Sequence, residues 1–312
     1  MHRRAFFAIT ACVTGAALAV VFAADRAEVG FADGRIFPES LTSTRNGTLY
    51  IGSLGLDSVY RAGPDAVKAE TWIQPKAHGL QSVLGVLADE TAGTLWVCTS
   101  ALGGRGGAPV VGETALKAFS LSDASLKGSY PFPGNGFCND IAVARDGTAY
   151  ATDTTGARIL RLKKGSSALD VWAADRALLA TADGIALLED GAVYVNSFGL
   201  GTLVRIPVNG DGSAGPITKL ETSRALAQPD GMRAVGARTL LLVEGAGRLD
   251  EVTVSGDKAD VKTLKDGLTG PTAVTFAGST AYVAEGKLSL RTDPSKDPGP
   301  FRVIGVPYQA SK

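Results

Sequence analysis

Histidine is nearly missing from this chain. Its 312 residues hold two, and His2 lies in the leader described below, so His78 alone remains for acid–base work. No Gly-x-Ser-x-Gly elbow occurs either, and a Ser-His-Asp arrangement would have to rest on His78 without the strand-turn-helix context it needs. His78, in PKAHGLQS, is read as a loop or packing residue, with a place at a pocket rim as the alternative. Cysteine is scarce, three in all, and neither Cys-x-x-Cys nor His-x-x-x-His spacing is present, which argues against zinc held by Cys98, Cys138 and His78. An excess of either charge is lacking too. Lys plus Arg and Asp plus Glu both number 31, with no run of five like charges, so nothing tracks a phosphate backbone and nucleic acid is not an expected partner. The run Gly103-Gly104-Arg105-Gly106-Gly107 has no Gly-Lys-Ser/Thr and opens no helix. It reads as an inter-strand loop able to cover a channel mouth. No i, i+3, i+4, i+7 apolar pattern persists for three turns, which removes helical bundles.

What is present is apolar and rich in turns. Hydrophobic residues make up 45% and there are 39 glycines, nearly twice the usual share of about 7%. Such a chain buries too much apolar surface to be disordered, and its glycines lack the three-residue period of collagen.

Residues 1–23 read as a secretory signal peptide: His2, Arg3 and Arg4 give a positive start, Ala5 to Ala23 is uncharged, and Val21-Phe22-Ala23 suits a signal peptidase. An uncleaved anchor is the alternative. Cys12 sits too deep in the apolar run to carry lipid. Cleavage would leave 29 basic and 31 acidic residues in an exported chain, periplasmic or secreted, with no further span. Cys98 and Cys138 remain, and a bridge between them is as well supported as two buried thiols.

Residues 24–312 show no linker, and one phrase recurs in them: a polar residue, an alternating apolar strand, a glycine turn and a second strand. The copies are ESLTSTRNGTLYIGS from Glu39, LGVLADETAGTLWVCTS from Leu84, NDIAVARDGTAYATDT from Asn139, DGIALLEDGAVYVNS from Asp183, DGMRAVGARTLLLVEG from Asp230 and TAVTFAGSTAYVAEG from Thr272. Their heads lie 45, 55, 44, 47 and 42 residues apart. Several continue into a third strand, as in SVYRAG from Ser58 and TLVRIPVNG from Thr202. Period-two alternation with RNG, RDG and EDG turns predicts antiparallel hairpins, and units of this length, repeated, predict an all-β, six-bladed β-propeller of about four strands per blade. A β-sandwich is the runner-up, but it leaves the repeat unexplained.

In a propeller the heads of the first strands converge on the central channel. Glu39, Asn139, Asp183 and Asp230 are oxygen donors there, each leading into a buried strand, and no Lys or Arg heads a repeat to supply the opposing charge. Three carboxylates brought together resist ionisation unless a hard divalent cation joins them. These four residues are therefore the expected metal ligands and calcium the expected ion. The simpler use of Asn and Asp is to open turns by bonding their own backbone.

The fragments Pro38-Glu39, Phe137-Cys138-Asn139-Asp140, Ala182-Asp183-Gly184 and Pro229-Asp230-Gly231-Met232 resemble the gluconolactonase/regucalcin (senescence marker protein) family of six-bladed propellers. The Asn139-Asp140-Ile141-Ala142-Val143 stretch also resembles the paraoxonases. The resemblance implies one divalent metal over the channel, a Lewis acid for hydrolysis of a lactone or ester, and Asp230 as the catalytic proton acceptor. A paraoxonase-like base of two histidines has no counterpart here. Asp183 stands where the family more often has Asn, and Phe137 where sugar-lactone hydrolases tend to carry Arg, which argues against a polyhydroxylated substrate. The expected protein is a monomer acting on a small molecule, with a non-enzymatic binding propeller carrying a structural calcium as the alternative.

Overall fold

The computed structural model describes residues 26–102, 112–134 and 136–309. The leader and the Gly103–Gly107 run lie outside the described residues. Strands dominate, because alternating apolar residues between glycine turns can bury one face or both only in sheets. Among the described residues no helix is long and apolar enough to cross a membrane.

The first blade is built from Pro38–Ser43, Leu49–Ser53, Ser58–Ala62 and Lys68–Ile73, each antiparallel to the last. Three more blades repeat it, opening with Ser82–Asp89, Cys138–Val143 and Ala182–Leu187. A fifth, from Pro229–Ala234 through Lys258–Lys265, gains Glu221–Thr222 as a parallel edge. The sixth pairs Pro271–Ala277, Thr280–Glu285 and Arg302–Pro307, and its outer strand comes from the other end of the chain, Glu28–Phe31. Successive first strands touch one another, and Pro271–Ala277 touches Pro38–Ser43, so the ring is closed.

Its cores lie between blades. One apolar cluster sits at each junction, as where Tyr150 and Ile159 meet Ile185 and Val195. Each such fully buried side chain contributes roughly 1.5–3 kcal/mol. The closing strand is held by Val29, buried in the cluster shared by the sixth and first blades, and by Arg26. That guanidinium donates to the carbonyls of Gly63 (2.7 Å), Ala66 (3.0 Å) and Gly47 (2.6 Å) and lies over the Tyr282 ring.

Cys98 and Cys138 form a disulfide, with their Cα atoms 5.2 Å apart, joining the second strand of the second blade to the first strand of the third. Of the two thiol states open on sequence, the bridge is the one found, and it removes both cysteines from any zinc site. Reduction is expected to cost about 4 kcal/mol, the loop-closure value for such a span. Denaturant midpoints with and without reductant measure this. Thiol titration of the unfolded, unreduced mature chain should find neither cysteine reactive, and two titrating thiols would show the bridge to be absent.

Candidate functional site

Each first strand breaks register at its head. The shifts fall between Pro38 and Ser40, Val83 and Val86, Cys138 and Ile141, Ala182 and Ile185, Pro229 and Met232, and Pro271 and Ala273. Bulges of this kind re-aim a side chain. The six head residues predicted from the repeat, Glu39, Leu84, Asn139, Asp183, Asp230 and Thr272, all lie inside these bulges and all are buried. Two residues before four of the heads the backbone is left-handed, at Phe37 (φ 44°), Thr181 (φ 54°), Gln228 (φ 58°) and Gly270 (φ 54°). The three non-glycine positions carry strain at the channel mouth, where loops converge on the site.

The Asp-Gly pairs are packing features as much as turns. A Cβ at Gly184 would stand 2.6 Å from the Asp230 carbonyl oxygen, and one at Gly231 2.7 Å from that of Thr272, so only glycine lets neighbouring first strands approach this closely. Second-strand side chains then tie the heads in place. Ser100 donates to the Cys138 carbonyl (3.1 Å), Thr152 to that of Asp183 (2.8 Å) and Asn196 to that of Asp230. These ties were not anticipated, although the polar residues ending each second strand (CTS, TDT, VNS) were visible in the repeat.

Asn139 is oriented by its neighbours. Its Nδ2 donates to Thr154 Oγ1 (3.1 Å) and to Asp183 Oδ2 (3.0 Å), while the Thr154 hydroxyl is spent on the Ala182 carbonyl (2.7 Å). Both amide hydrogens are used, and Oδ1 remains as an acceptor. Asp230 neighbours Asp183, and its own Oδ1 accepts from the Gly231 amide at 2.9 Å. That last contact is the local backbone bond expected of a turn-forming Asp, made here inside a buried strand. Burial raises the Asp183 carboxyl to about 7, with repulsion from Asp140 adding to it. Asp230 is pushed well above the usual range by burial and by the charges of Asp183 and Glu39. Glu39 is raised by burial and by Asp183 and Asp140, while Arg233 opposes the shift.

No Lys or Arg heads a repeat, but Arg233 brings a cation among the first strands. It heads no repeat, standing three residues past Asp230, yet its guanidinium lies buried on the axis. Nη1 donates to Asp140 Oδ2 (2.7 Å) and to the Met232 carbonyl (2.8 Å), and Nη2 to the Val86 carbonyl (3.0 Å). Ser40 Oγ and the Leu41 carbonyl lie at 3.4 and 3.5 Å. One side chain thus bridges the fifth blade to the third, second and first. Asp140, noted in sequence only as part of a motif, is its counter-ion.

The donor set of Glu39, Asn139, Asp183 and Asp230 suits a hard cation in its chemistry: buried carboxylate oxygens plus one oriented amide oxygen. Among the described residues, however, no three His, Cys, Asp or Glu side chains stand in an arrangement that could hold a metal as they are. Here the Asn139 amide bonds Asp183, and the raised acids hold protons that an ion would have to replace. His78 is exposed in a short turn with its ring edge-on to Phe119 (5.7 Å), a loop residue rather than a base.

No protein-family model and no curated protein matches the chain. Solved structures do. A gluconolactonase from Xanthomonas campestris is 18% identical over 94% of each chain, with a TM-score of 0.64. The chain shares the propeller fold of the gluconolactonases. The allergen Mala s 1 of Malassezia sympodialis superposes with a TM-score of 0.69 at 14% identity, covering 90% of this chain and 96% of its own. Virginiamycin B lyase of Staphylococcus aureus reaches 0.58 at 15% identity, over 89% of this chain and 98% of its own. Proteins with such different names on one scaffold leave activity to the site.

Proposed function

We propose that this protein is an exported, divalent-cation-dependent hydrolase of lactones or esters. The observation that carries it is the burial of Glu39, Asn139, Asp183 and Asp230 in the head bulges of the first strands, near enough that Asn139 bonds Asp183 and the carboxyls raise one another. A calcium-type ion bound there would supply Lewis-acid polarisation of the scissile carbonyl. Glu39, Asn139, Asp183 and Asp230 would hold it. Asp230, ionised beside the cation, would take the proton of the attacking water. Asn139 presents its oxygen because Thr154 and Asp183 occupy its hydrogens, and Arg233 holds Asp140 and the strands beneath in place. Phe137, two residues before Asn139, packs against the apolar cluster of the second and third blades and brings no charge to bind the hydroxyls of a sugar lactone. The Cys98–Cys138 bridge suits an oxidising compartment and so supports export.

The test is hydrolysis of a panel of aryl esters and aliphatic lactones by the mature protein, with calcium and with chelator. Turnover that chelation abolishes and calcium restores is the expected result. Silence across the panel, with calcium still raising the melting temperature, would replace the hydrolase with a binding propeller.

A further inference from the structure

At the opposite end of the first strands from their heads, a cleft of about 730 Å³ opens between the second and third blades. Comparison of the repeats shows what differs there. In the first, third and fourth blades the second-strand tyrosines Tyr50, Tyr150 and Tyr194 pair directly across the sheet with Arg61, Arg161 and Arg205. These arginines are engaged: Arg205 bonds Tyr194 Oη (3.2 Å) and Asp190 (3.0 Å), and Arg161 bonds Asp170 and the Gly212 carbonyl. In the second blade the same pair is Trp96 and Ala118. Gly128 faces Ala118 in turn, and a Cβ there would stand 2.6 Å from Tyr130 Oη. The Tyr130 ring therefore lies along its strand, 6.2 Å from that of Trp96, and the two rings line the cleft.

Its chemistry is specific. Trp96 is only 9% exposed, and its indole N–H, a group that can only donate, finds no acceptor among the described residues. Arg45, Arg145, Lys163 and Lys164 line the cleft against Asp89 and Glu90, an excess of two positive charges. Glu90 reaches Arg45 only at 3.9 Å, and Arg145 meets Glu189 at 3.7 Å, both in exposed pairs, of the kind that binds weakly. An aromatic wall and a basic rim call for a flat apolar body carrying an anion, and the volume suits a small molecule.

We propose that this cleft is a second binding site, for an aromatic carboxylate whose ring lies against Trp96 and Tyr130 and whose oxygens meet the basic rim. The site is independent of the channel. Titration calorimetry of the calcium-loaded mature protein with 2-naphthoate should give saturable one-to-one binding. 2-Naphthylmethanol and 2-naphthylmethylamine, with the charge removed or reversed, should bind at least about tenfold more weakly. Lys163→Glu with Lys164→Glu, at solvent-facing rim positions, should weaken 2-naphthoate by a similar factor. Ala118→Arg, which introduces the residue of the first, third and fourth blades beside Trp96, should weaken it, and Asp230→Asn should leave it unchanged. The proposal is overturned if no heat appears up to millimolar 2-naphthoate, if the alcohol binds equally well, if the double lysine variant binds undiminished, or if Asp230→Asn removes the binding.

Discussion

Asp230→Asn is expected to abolish hydrolysis and most of the divalent-ion binding while the propeller stays folded. The amide matches the carboxyl in size and can still accept from the Gly231 amide, so the bulge that holds this position is preserved. What is lost is a ligand charge and the only proton acceptor assigned to the water. Calcium bound to the folded state alone stabilises it by about 2.7 kcal/mol at a hundredfold excess over its dissociation constant, and the variant should lose most of that shift in a thermal melt. An Asp230→Asn variant that still turns over would exclude the proton-acceptor role. Asp183→Asn is expected to do less, since the family that the sequence resembles more often carries Asn at this position and Asp183 is assigned no proton from the water.

The same carboxyls set a pH dependence. Asp183 rises from an ordinary 3.8 to about 7 because burial disfavours its charge. A raised acid binds more protons folded than unfolded, so the metal-free protein should lose stability as pH climbs from about 4 to 7 and level off above. Calcium, which replaces the protons, should reverse that loss most strongly at and above pH 7. A metal-free melting temperature that rises across this window would contradict the burial of these groups.

Arg233→Met should be the most damaging single change to stability, at about 3–5 kcal/mol, because it leaves Asp140 buried without its partner. The pair is nearly sealed, with side-chain exposures of 11% and 5% and an Nη1–Oδ2 distance of 2.7 Å. The guanidinium also satisfies the Val86 and Met232 carbonyls, which a methionine cannot do. Adding Asp140→Asn to Arg233→Met should recover part of the loss, since the stranded charge is then gone. Urea midpoints of the two single variants and the double variant measure this, and simple additivity would mean that the two side chains are not coupled.

The repeat was legible because strand alternation and glycine turns are local. The phrase from Asn139 and the phrase from Asp183 predict the same two strands, and the structure forms them at Cys138–Val143 with Ala149–Asp153 and at Ala182–Leu187 with Val193–Ser197. The heads could be aligned for the same reason: a polar residue breaking an apolar strand at a constant phase stands out even at spacings of 42 to 55 residues. Arg233 did not stand out. It sits on a buried first strand, at a place where the third and fourth repeats carry Ala142 and Ala186, and nothing local marks an arginine as the partner of an aspartate 93 residues away.

By itself, then, the amino-acid sequence determined the all-β repeat and the shared position of Glu39, Asn139, Asp183 and Asp230, because period and phase are properties of neighbouring residues. Tertiary structure alone decided the rest. Closure by Glu28–Phe31 depends on four residues too few to announce a strand, held by an Arg26 that bonds carbonyls of the first blade. The Cys98–Cys138 bridge required two blades to meet, and the bond from Asn139 to Asp183 required two strand heads to touch. The cleft beside Trp96 lies in the blade where Ala118 stands at the place of an arginine in the first, third and fourth blades, a difference that acquires meaning only when cross-strand partners are known. Each of these is a contact between residues distant in the chain, and the free energy of such contacts depends on distances that only the closed ring establishes.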